Sequence, residues 1–323
     1  TVTQELSIGL VKKGFEVYVA CEANGFKRNP YATFRNVKLV YFPIIESFRT
    51  VSDVLLYDFL SVVWASLNVD IIYMLSYTNS PLLLLPKLLG KTVVANADGL
   101  EWKRRKHSKL VRSMLRCFEA ISTKIVNVMV VDSKALGDYF TANYKIKTFY
   151  VPYGIEEIQP LGFENLKRYN IKPNDYYLAI ARLEPENNIS IIIDEFERSN
   201  SQKKLVIVGP LKSTAYVKEL LRHRSKKVIF TGGVYEPRTQ RMLRHNCYAY
   251  IHAHEVGGTN PTLVEALSTR SLILALNVPF NKEVAGKGAF YFSKDKGSLQ
   301  NKIDFVEKKE NLLKCEVARE VAY

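Results

Sequence analysis

Short runs of β-branched and aromatic residues alternate along the chain with segments of helical periodicity. These runs are apolar at nearly every position, which is typical of strands buried on both faces of a parallel sheet with covering helices. They fall into two series of six. The predicted strands are 16–21, 37–42, 70–75, 92–97, 128–132 and 147–151 in the first series, and 176–181, 204–209, 227–232, 248–252, 271–276 and 288–293 in the second.

The two series predict two α/β domains of similar architecture. In a doubly wound, Rossmann-like domain, ligands bind beyond the carboxyl ends of the parallel strands. Pro152, Gly154 and Pro160 interrupt both periodicities between the two series, so the linker is expected there. We therefore predict a first domain over 1–155 and a second domain over 156–323.

The chain opens on a helical pattern instead of a strand. Val2, Leu6 and Leu10 form one apolar stripe, and Gly14 fits the C-terminal end of that helix. Because an α/β domain rarely begins with a helix that no strand precedes, we expect the first strand to be missing from this sequence.

Composition and charge narrow the class of protein. The chain has 323 residues, 47% of them hydrophobic and 24% charged, which is typical of a globular protein. A net charge of +14 favours anionic partners: phosphates, nucleic acid or an acidic membrane surface. The four cysteines are far apart, which argues against a disulfide framework or a structural zinc site and favours the cytoplasm. No apolar run reaches the roughly 18 residues that span a bilayer.

The segment from His252 to Leu267 carries the most specific chemistry. A buried-strand pattern runs into the glycine-bearing loop 257–260, where Asn260 can cap a helix that Pro261 begins. Free backbone amides at such a helix start bind anions, and Glu265 lies one turn further along. The pattern suits a nucleotide diphosphate attached to a sugar, with amides on phosphate and the carboxylate on ribose. The alternative is an ordinary strand–loop–helix corner.

Two further residues follow predicted strands. Arg182 emerges at the carboxyl end of the first strand of the second series, where a guanidinium could hold a diphosphate. Its alternative is a salt bridge to Glu184 or Glu186. His252 and His254 leave their strand in the same direction, but no third ligand follows at a spacing that suits zinc.

The segment 98–116 carries seven basic residues. Arg105, Lys109, Arg112 and Arg116 fall at helical spacing, and a basic amphipathic helix is typical of contact with an anionic membrane or another polyanion. The alternative is a solvated helix face that happens to be cationic. Each Lys or Arg near an anionic leaflet contributes about 1 kcal/mol, so several suffice for reversible attachment.

Taken together, these segments resemble the GT-B glycosyltransferases of the retaining family four type, and more narrowly the bacterial rhamnosyltransferases that build capsule, rhamnan and cell-wall polysaccharides. Arg-Leu-Glu-Pro-Glu-Asn-Asn at 182–188 and Gly-Gly-Thr-Asn-Pro at 257–261 are the specific matches. Four supporting matches lie at 98–104, 131–135, 151–154 and 230–235.

The resemblance implies the GT-B fold, with two Rossmann-like domains facing across a cleft, and transfer of a sugar from a nucleotide donor with retention. The expected donor is dTDP-β-L-rhamnose, the acceptor is a saccharide on a polyprenyl diphosphate, and the enzyme works at the cytoplasmic face of the membrane. No metal or other cofactor is expected. The donor-binding residues by this resemblance are Arg182, His254, Gly257, Gly258, Thr259, Asn260 and Glu265, and the expected catalytic set is Asp98, Arg182 and Glu265.

The chain also departs from the family pattern. Asn187 stands where many members carry a lysine, and Gly257 stands where many carry a glutamate, which leaves Glu255 as a candidate sugar-facing carboxylate by proximity only. The family's first strand and glycine-rich loop are expected to be missing. Two alternatives stay open: another GT-B enzyme that uses a UDP- or GDP-sugar, and a non-catalytic basic fragment that binds membranes or polyanions.

Overall fold

The computed structural model describes residues 2–24, 30–44, 51–97, 99–104, 107–154, 162–308, 311 and 315–316, the side chains of 24, 51–55 and 165 excepted. The chain forms two compact units. Unit 1 comprises Thr1–Ala97, Ser113–Val130 and Phe140–Phe149, and unit 2 comprises Asp98–Arg112, Val131–Tyr139 and Tyr150–Tyr323. The predicted domain boundary at 155 falls outside the described residues and stays a prediction.

Unit 1 is built on two sheets. One has the strand order β1-β3-β2 and the other the order β4-β5-β6-β7. The elements up to Tyr150, in chain order, are α1 (Val2–Lys12), β1 (Tyr18–Asn24), β2 (Tyr31–Phe34), β3 (Val37–Ile44), α2 (Val51–Asn68), β4 (Ile71–Met74), α3 (Leu84–Leu88), β5 (Thr92–Ala97), α4 (Lys109–Ile125), β6 (Val128–Val131), α5 (Lys134–Tyr144) and β7 (Thr148–Tyr150).

Unit 2 contains a six-stranded sheet of order β10-β9-β8-β11-β12-β13, in which every neighbouring pair is parallel. The order reverses between β8 and β11, which makes that point the switch of a doubly wound sheet. Its elements are β8 (Tyr176–Ile180), α6 (Ile189–Arg198), β9 (Lys204–Val208), α7 (Ala215–Leu220), β10 (Val228–Gly232), α8 (Pro237–His245), β11 (Ala249–His252), α9 (Pro261–Ser268), β12 (Ile273–Leu276), α10 (Pro279–Ala285), β13 (Ala289–Phe292) and α11 (Ser298–Glu307).

Both faces of this sheet are buried, which explains why its strands are apolar throughout. Along β8, Tyr177 and Ala179 belong to the core that contains α6 and α11. Their neighbours Tyr176 and Leu178 belong to the core on the opposite face, with α8 and α9. Successive side chains of a strand point to opposite faces, so neither face tolerates polar residues.

All twelve predicted strands are present, and their ends differ from the predicted ones by up to three residues. The α/β fold class with parallel sheets is therefore confirmed. The strand β2 was not predicted; it is exposed and antiparallel to β3. Arg35 and Asn36 both have positive φ, and they form the two-residue loop that closes this hairpin.

The basic segment is not one helix. Residues Glu101–Lys103 form a separate turn of 3₁₀-helix, and α4 begins only at Lys109. Arg105 and Asp98 lie outside the described residues. Lys109, Arg112 and Arg116 do lie on α4, and Lys109 and Arg116 are exposed.

Leu274→Ala tests how far unit 2 depends on this central sheet. Leu274 on β12 is fully buried and pairs with neighbours on both sides. We expect the free energy of unfolding, measured in urea, to fall by about 2–5 kcal/mol. Leu211→Ala, at an exposed position of the same unit, is the control and should change that value by less than about 0.5 kcal/mol.

Candidate active site

A cavity of about 390 Å³ opens at the carboxyl ends of the central strands of unit 2. Ile180 ends β8, Val208 ends β9, and His254 follows β11, and all three line the cavity. The cavity therefore lies at the point where the strand order reverses, where doubly wound sheets bind their ligands. Every residue that lines it belongs to unit 2.

The start of α9 forms one wall of this cavity. Asn260 caps the helix, because its side-chain oxygen accepts hydrogen bonds from Thr262 N at 3.1 Å and from Thr262 Oγ1 at 2.8 Å. Pro261 occupies the first turn, where its missing N–H costs nothing. The predicted residues Gly257, Gly258, Thr259 and Asn260 all line the cavity. The structure thus brings a helix N-terminus, with its partial positive charge, to the cavity wall.

The loop before α9 is held by close packing against Asp132 and Gly99. A side chain at Gly258 would place its Cβ 2.0 Å from Asp132 Oδ1, and one at Gly99 would lie 2.9 Å from Gly257 Cα. Thr259 Oγ1 donates a hydrogen bond of 2.6 Å to the Asp132 carbonyl oxygen. Glycine is therefore required at these contacts, which fix the loop and hence the position of the helix start.

Two guanidinium groups line the cavity. Arg182 follows β8 as predicted; its Nη2 lies 3.8 Å from Glu184 Oε2, and Asn187 Nδ2 donates to its carbonyl oxygen at 2.7 Å. The ion pair that the sequence offered as an alternative is thus present, but it is long and leaves Arg182 about half exposed. Arg104 is the second guanidinium.

Arg104 is held among carboxylates. Its Nε pairs with Glu101, and its Nη1 lies 3.9 Å from Oε1 of Glu186, a fully buried side chain. Arg104 was not predicted as a site residue, because the segment was interpreted as a basic helix whose cationic face carries Arg105, Lys109, Arg112 and Arg116. The sequence feature that could have identified Arg104 is its position shortly after the carboxyl end of β5, in the same segment as Asp98.

His252 is fully buried, His254 is partly buried, and their rings stack with centroids 4.4 Å apart. Burial, and then the positive charges of Arg182 and Arg104, lower the pKa of His254 to about 3. Burial, and then the neighbouring His254, lower the pKa of His252 well below its usual value. Both rings are therefore neutral at physiological pH. His254 Nδ1 has no hydrogen-bond partner among the described residues, and this residue lines the cavity.

Two family models match the chain, one in each half. Residues 163–321 match the model of Glycosyl transferases group 1, and residues 4–156 match a domain of unknown function, DUF1972. The chain is a glycosyltransferase with the GT-B fold. No protein with a curated description matches its sequence.

Solved structures share the fold of this glycosyltransferase at low identity. Sucrose-phosphate synthase from Thermosynechococcus elongatus has a TM-score of 0.74 at 13% identity, over 99% of this chain and 86% of that one. HepE of Anabaena in complex with UDP-glucose has a TM-score of 0.72 at 16% identity, over 89% and 81%. OtsA in its apo form has a TM-score of 0.75 at 10% identity, over 98% and 91%.

Glu265 does not line the cavity of the glycosyltransferase directly. It lies on α9 one turn beyond Pro261, is 40% exposed, and its Oε2 lies 2.5 Å from Nη2 of Arg244, a side chain that is only 1% exposed. Gln240 Oε1 accepts from Arg244 Nη1 at 3.4 Å, and Gln240 lines the cavity. A buried arginine thus fixes the predicted carboxylate close to the cavity wall, a partnership that sequence spacing does not reveal.

A second cavity of about 440 Å³, also in unit 2, shares Val256 with the first. Its charged lining groups are Lys103, Arg112, Lys294 and Glu255. Glu255 pairs with Lys294 and accepts from Asn188 Nδ2 at 3.3 Å. The carboxylate noted in the sequence by proximity therefore lines the second cavity of the glycosyltransferase.

Metal ligation and membrane spanning find no support in the described part of the chain. Among those residues, no group of three or more His, Cys, Asp and Glu side chains is placed to hold a metal ion. None of the helices described there is long and apolar enough to cross a bilayer.

Gly258→Ala should damage the donor site. The new methyl group meets Asp132 Oδ1 at 2.0 Å, so the loop or the carboxylate must move and the α9 amides shift with it. We expect nucleotide affinity, measured by calorimetry, to fall at least about tenfold, equivalent to about 1.4 kcal/mol. Gly9→Ala, at a position with no atom within 4 Å, is the matched control, and an equal loss there would contradict the interpretation.

The low pKa of His254 predicts a pH-dependent stability. In the unfolded chain the ring has a pKa of about 6.5, so below that pH the unfolded chain binds a proton that the folded ring does not. The free energy of unfolding therefore decreases as the pH is lowered, down to about pH 3. Lowering the pH from 7.5 to 5.5 should therefore cost the wild type about 1.4 kcal/mol more than it costs His254→Asn. Urea unfolding at both pH values measures the difference. Equal losses in the two proteins would show that the ring is not held neutral.

Proposed function

We propose that the protein transfers L-rhamnose from dTDP-β-L-rhamnose to a lipid-linked saccharide during synthesis of a bacterial surface polysaccharide. The observation that carries the proposal is the cavity in which Arg104, Arg182 and the start of α9 meet. HepE, whose fold is similar, has been solved with UDP and with UDP-glucose, which supports a nucleotide-sugar donor.

The positive groups suit the diphosphate of such a donor. Two guanidiniums can hold phosphate oxygens through charge-assisted hydrogen bonds, and the partial positive charge at the start of α9 adds to their attraction. Departure of the nucleoside diphosphate builds negative charge on those oxygens, and groups already aimed at them stabilise the transition state. This positive charge serves the role that a metal ion has in other enzymes, so we propose that the reaction needs no metal.

The neutral histidine fits the same reaction. His254 lines the cavity and, with a pKa of about 3, its ring carries no charge during the reaction. A neutral imidazole has one N–H donor and one acceptor nitrogen, so it can form a hydrogen bond with a sugar hydroxyl or a phosphate oxygen without adding charge. The two arginines therefore supply the positive charge that stabilises the phosphate oxygens.

The remainder of the cavity suits the nucleoside. Gly209, Pro210 and the segment Gly233–Tyr235 line it with few charges. Glu265, which Arg244 fixes, is proposed to accept hydrogen bonds from the ribose hydroxyls. This division places the diphosphate near the arginines and the base away from them.

The proposed chemistry is a transfer with retention. The bond between the anomeric carbon and the phosphate oxygen breaks, and the acceptor hydroxyl attacks from the same face. Its proton passes to the departing phosphate, because no carboxylate is assigned as a covalent nucleophile. Asp98 is proposed to contact the donor sugar, and its placement lies outside the described residues.

The second cavity suits an anionic acceptor. Arg112 Nε donates to the Trp102 carbonyl oxygen at 2.8 Å, and Lys103 Nζ lies over the Trp102 ring at 5.4 Å, so both cations are positioned. Within the described part of the chain, neither pairs with a carboxylate. The shared wall at Val256 brings this charge next to the donor cavity. These features support a saccharide carried on a polyprenyl diphosphate.

A peripheral position at the cytoplasmic face of the membrane follows from that acceptor. On α4, Lys109 and Arg116 are exposed together with Leu110 and Met114. Exposed apolar and basic residues on one helix are typical of contact with anionic lipid. Arg105 is proposed for the same contact from the sequence alone.

An alternative donor remains a second candidate. The complex of HepE with UDP-glucose favours a UDP-sugar, since the two folds match over 89% of this chain. The features described for the diphosphate serve any nucleoside diphosphate sugar equally. Calorimetric titration with dTDP-rhamnose, UDP-glucose and GDP-mannose, followed by product mass, distinguishes these donors from each other and from a non-catalytic polyanion-binding protein.

Arg182→Gln and Glu265→Gln test the donor site. Each removes a charged hydrogen-bonding partner of the donor, so we expect donor affinity to fall by about ten- to a hundredfold and turnover to fall in Arg182→Gln. Arg222→Gln, at an exposed arginine of the same unit, is the matched control and should leave both unchanged. Wild-type affinity and turnover in both site variants would refute the proposed site.

A further inference from the structure

The helices α2 and α3 of unit 1 carry an apolar surface that faces solvent. Leu84, Leu85, Leu88 and Leu89 are all exposed, Leu88 to 76% and Leu84 to 48%. They lie on or directly after the five-residue helix α3, which packs against α2. Large apolar side chains exposed in one short segment mark an interaction surface, because a soluble protein gains nothing by leaving them in water.

The neighbouring helix extends this surface. Leu56 and Phe59 on α2 are exposed to 44% and 49%. Other leucines of the same segment are buried normally: Leu83 has no exposed area and anchors α3 to the unit. The exposed leucines are therefore additional to those that the core needs.

The charges beside the leucines of α3 are positive. Residues 80–91 contain Lys87 and Lys91 and no acidic residue. The helix α2 contains two acidic residues, Asp53 and Asp58, and no basic one. The Asp58 carboxylate is half-buried and accepts a hydrogen bond from Asn79. Leucines flanked by lysines suit the boundary between anionic headgroups and acyl chains, where the lysines remain at the phosphates while the leucines insert.

We propose that the α2–α3 surface, formed by Leu56, Phe59, Leu84, Leu85, Leu88 and Leu89, docks unit 1 onto an anionic lipid bilayer. The proposal does not depend on the donor site, since it concerns a different unit and a different kind of contact. It differs from the contact proposed for α4 because its attachment comes mainly from inserted apolar side chains and is only assisted by charge.

Co-sedimentation with vesicles tests this docking surface. The probe is phosphatidylcholine vesicles with about one part in three of phosphatidylglycerol, compared with phosphatidylcholine alone. We expect the wild type to bind the anionic vesicles and Leu84→Ser with Leu88→Ser to lower its partition coefficient at least about tenfold. Lys87→Gln with Lys91→Gln should lower it about fivefold or more, on anionic vesicles only.

Controls distinguish lipid docking from misfolding and from self-association. Leu211→Ser changes an exposed leucine of unit 2 and should bind like the wild type. Urea unfolding and nucleotide titration confirm that each variant is folded and has a working donor site, so loss of nucleotide binding would count against the proposed function and not against this surface. Unchanged vesicle binding in the leucine variant, or a dimer in solution that the leucine variant abolishes, would overturn the proposal.

Discussion

The proposed donor site depends on one contact, the close approach of the loop before α9 to Asp132 and Gly99. There is no room for a side chain at Gly258, and Thr259 ties the loop to the Asp132 backbone at 2.6 Å. The partial positive charge of a helix start acts within about one turn of it, so the position of this loop determines whether that charge reaches the cavity. The same contact explains why segments 98–112 and 131–139 belong to unit 2 although they precede its sheet by many residues.

That contact also determines the balance of charge in the cavity. The contact fixes segment 99–104 beside the loop 257–260, and this brings Arg104 to the cavity wall next to a loop that carries no charged side chain. With Arg182 already there, a protonated imidazole nearby would add a third positive charge at a buried position. Burial and the two guanidiniums together remove that proton from His254. The positive charge of the site thus lies on the two arginines and not on the histidine.

The strands of unit 2 could be predicted because both faces of their sheet are buried, which makes each strand a short apolar run. The β2 strand was missed for the opposite reason: its side chains are exposed, and only the conformation of Arg35 and Asn36 reveals the hairpin. Local patterns likewise located the α9 cap and Arg182. Arg104 and the Arg244–Glu265 pair could not be found this way, because each depends on a partner brought near by tertiary packing.

The two proposed substrates place different requirements on the protein, and the two cavities and the apolar surface of unit 1 correspond to those requirements. A nucleotide sugar arrives from water, so the proposed site for it can rely on charge alone, which the two arginines and the start of α9 would provide at the carboxyl ends of the strands. A lipid-linked acceptor diffuses within the plane of the membrane, and its diphosphate lies among anionic headgroups. Two positioned cations in the second cavity, Lys103 and Arg112, compete with those headgroups only if the protein is held at the surface by some other means. The leucines proposed to insert into the bilayer would supply such a means without using the positive charge that the proposed acceptor needs, so apolar attachment and electrostatic recognition would be separate functions of separate surfaces.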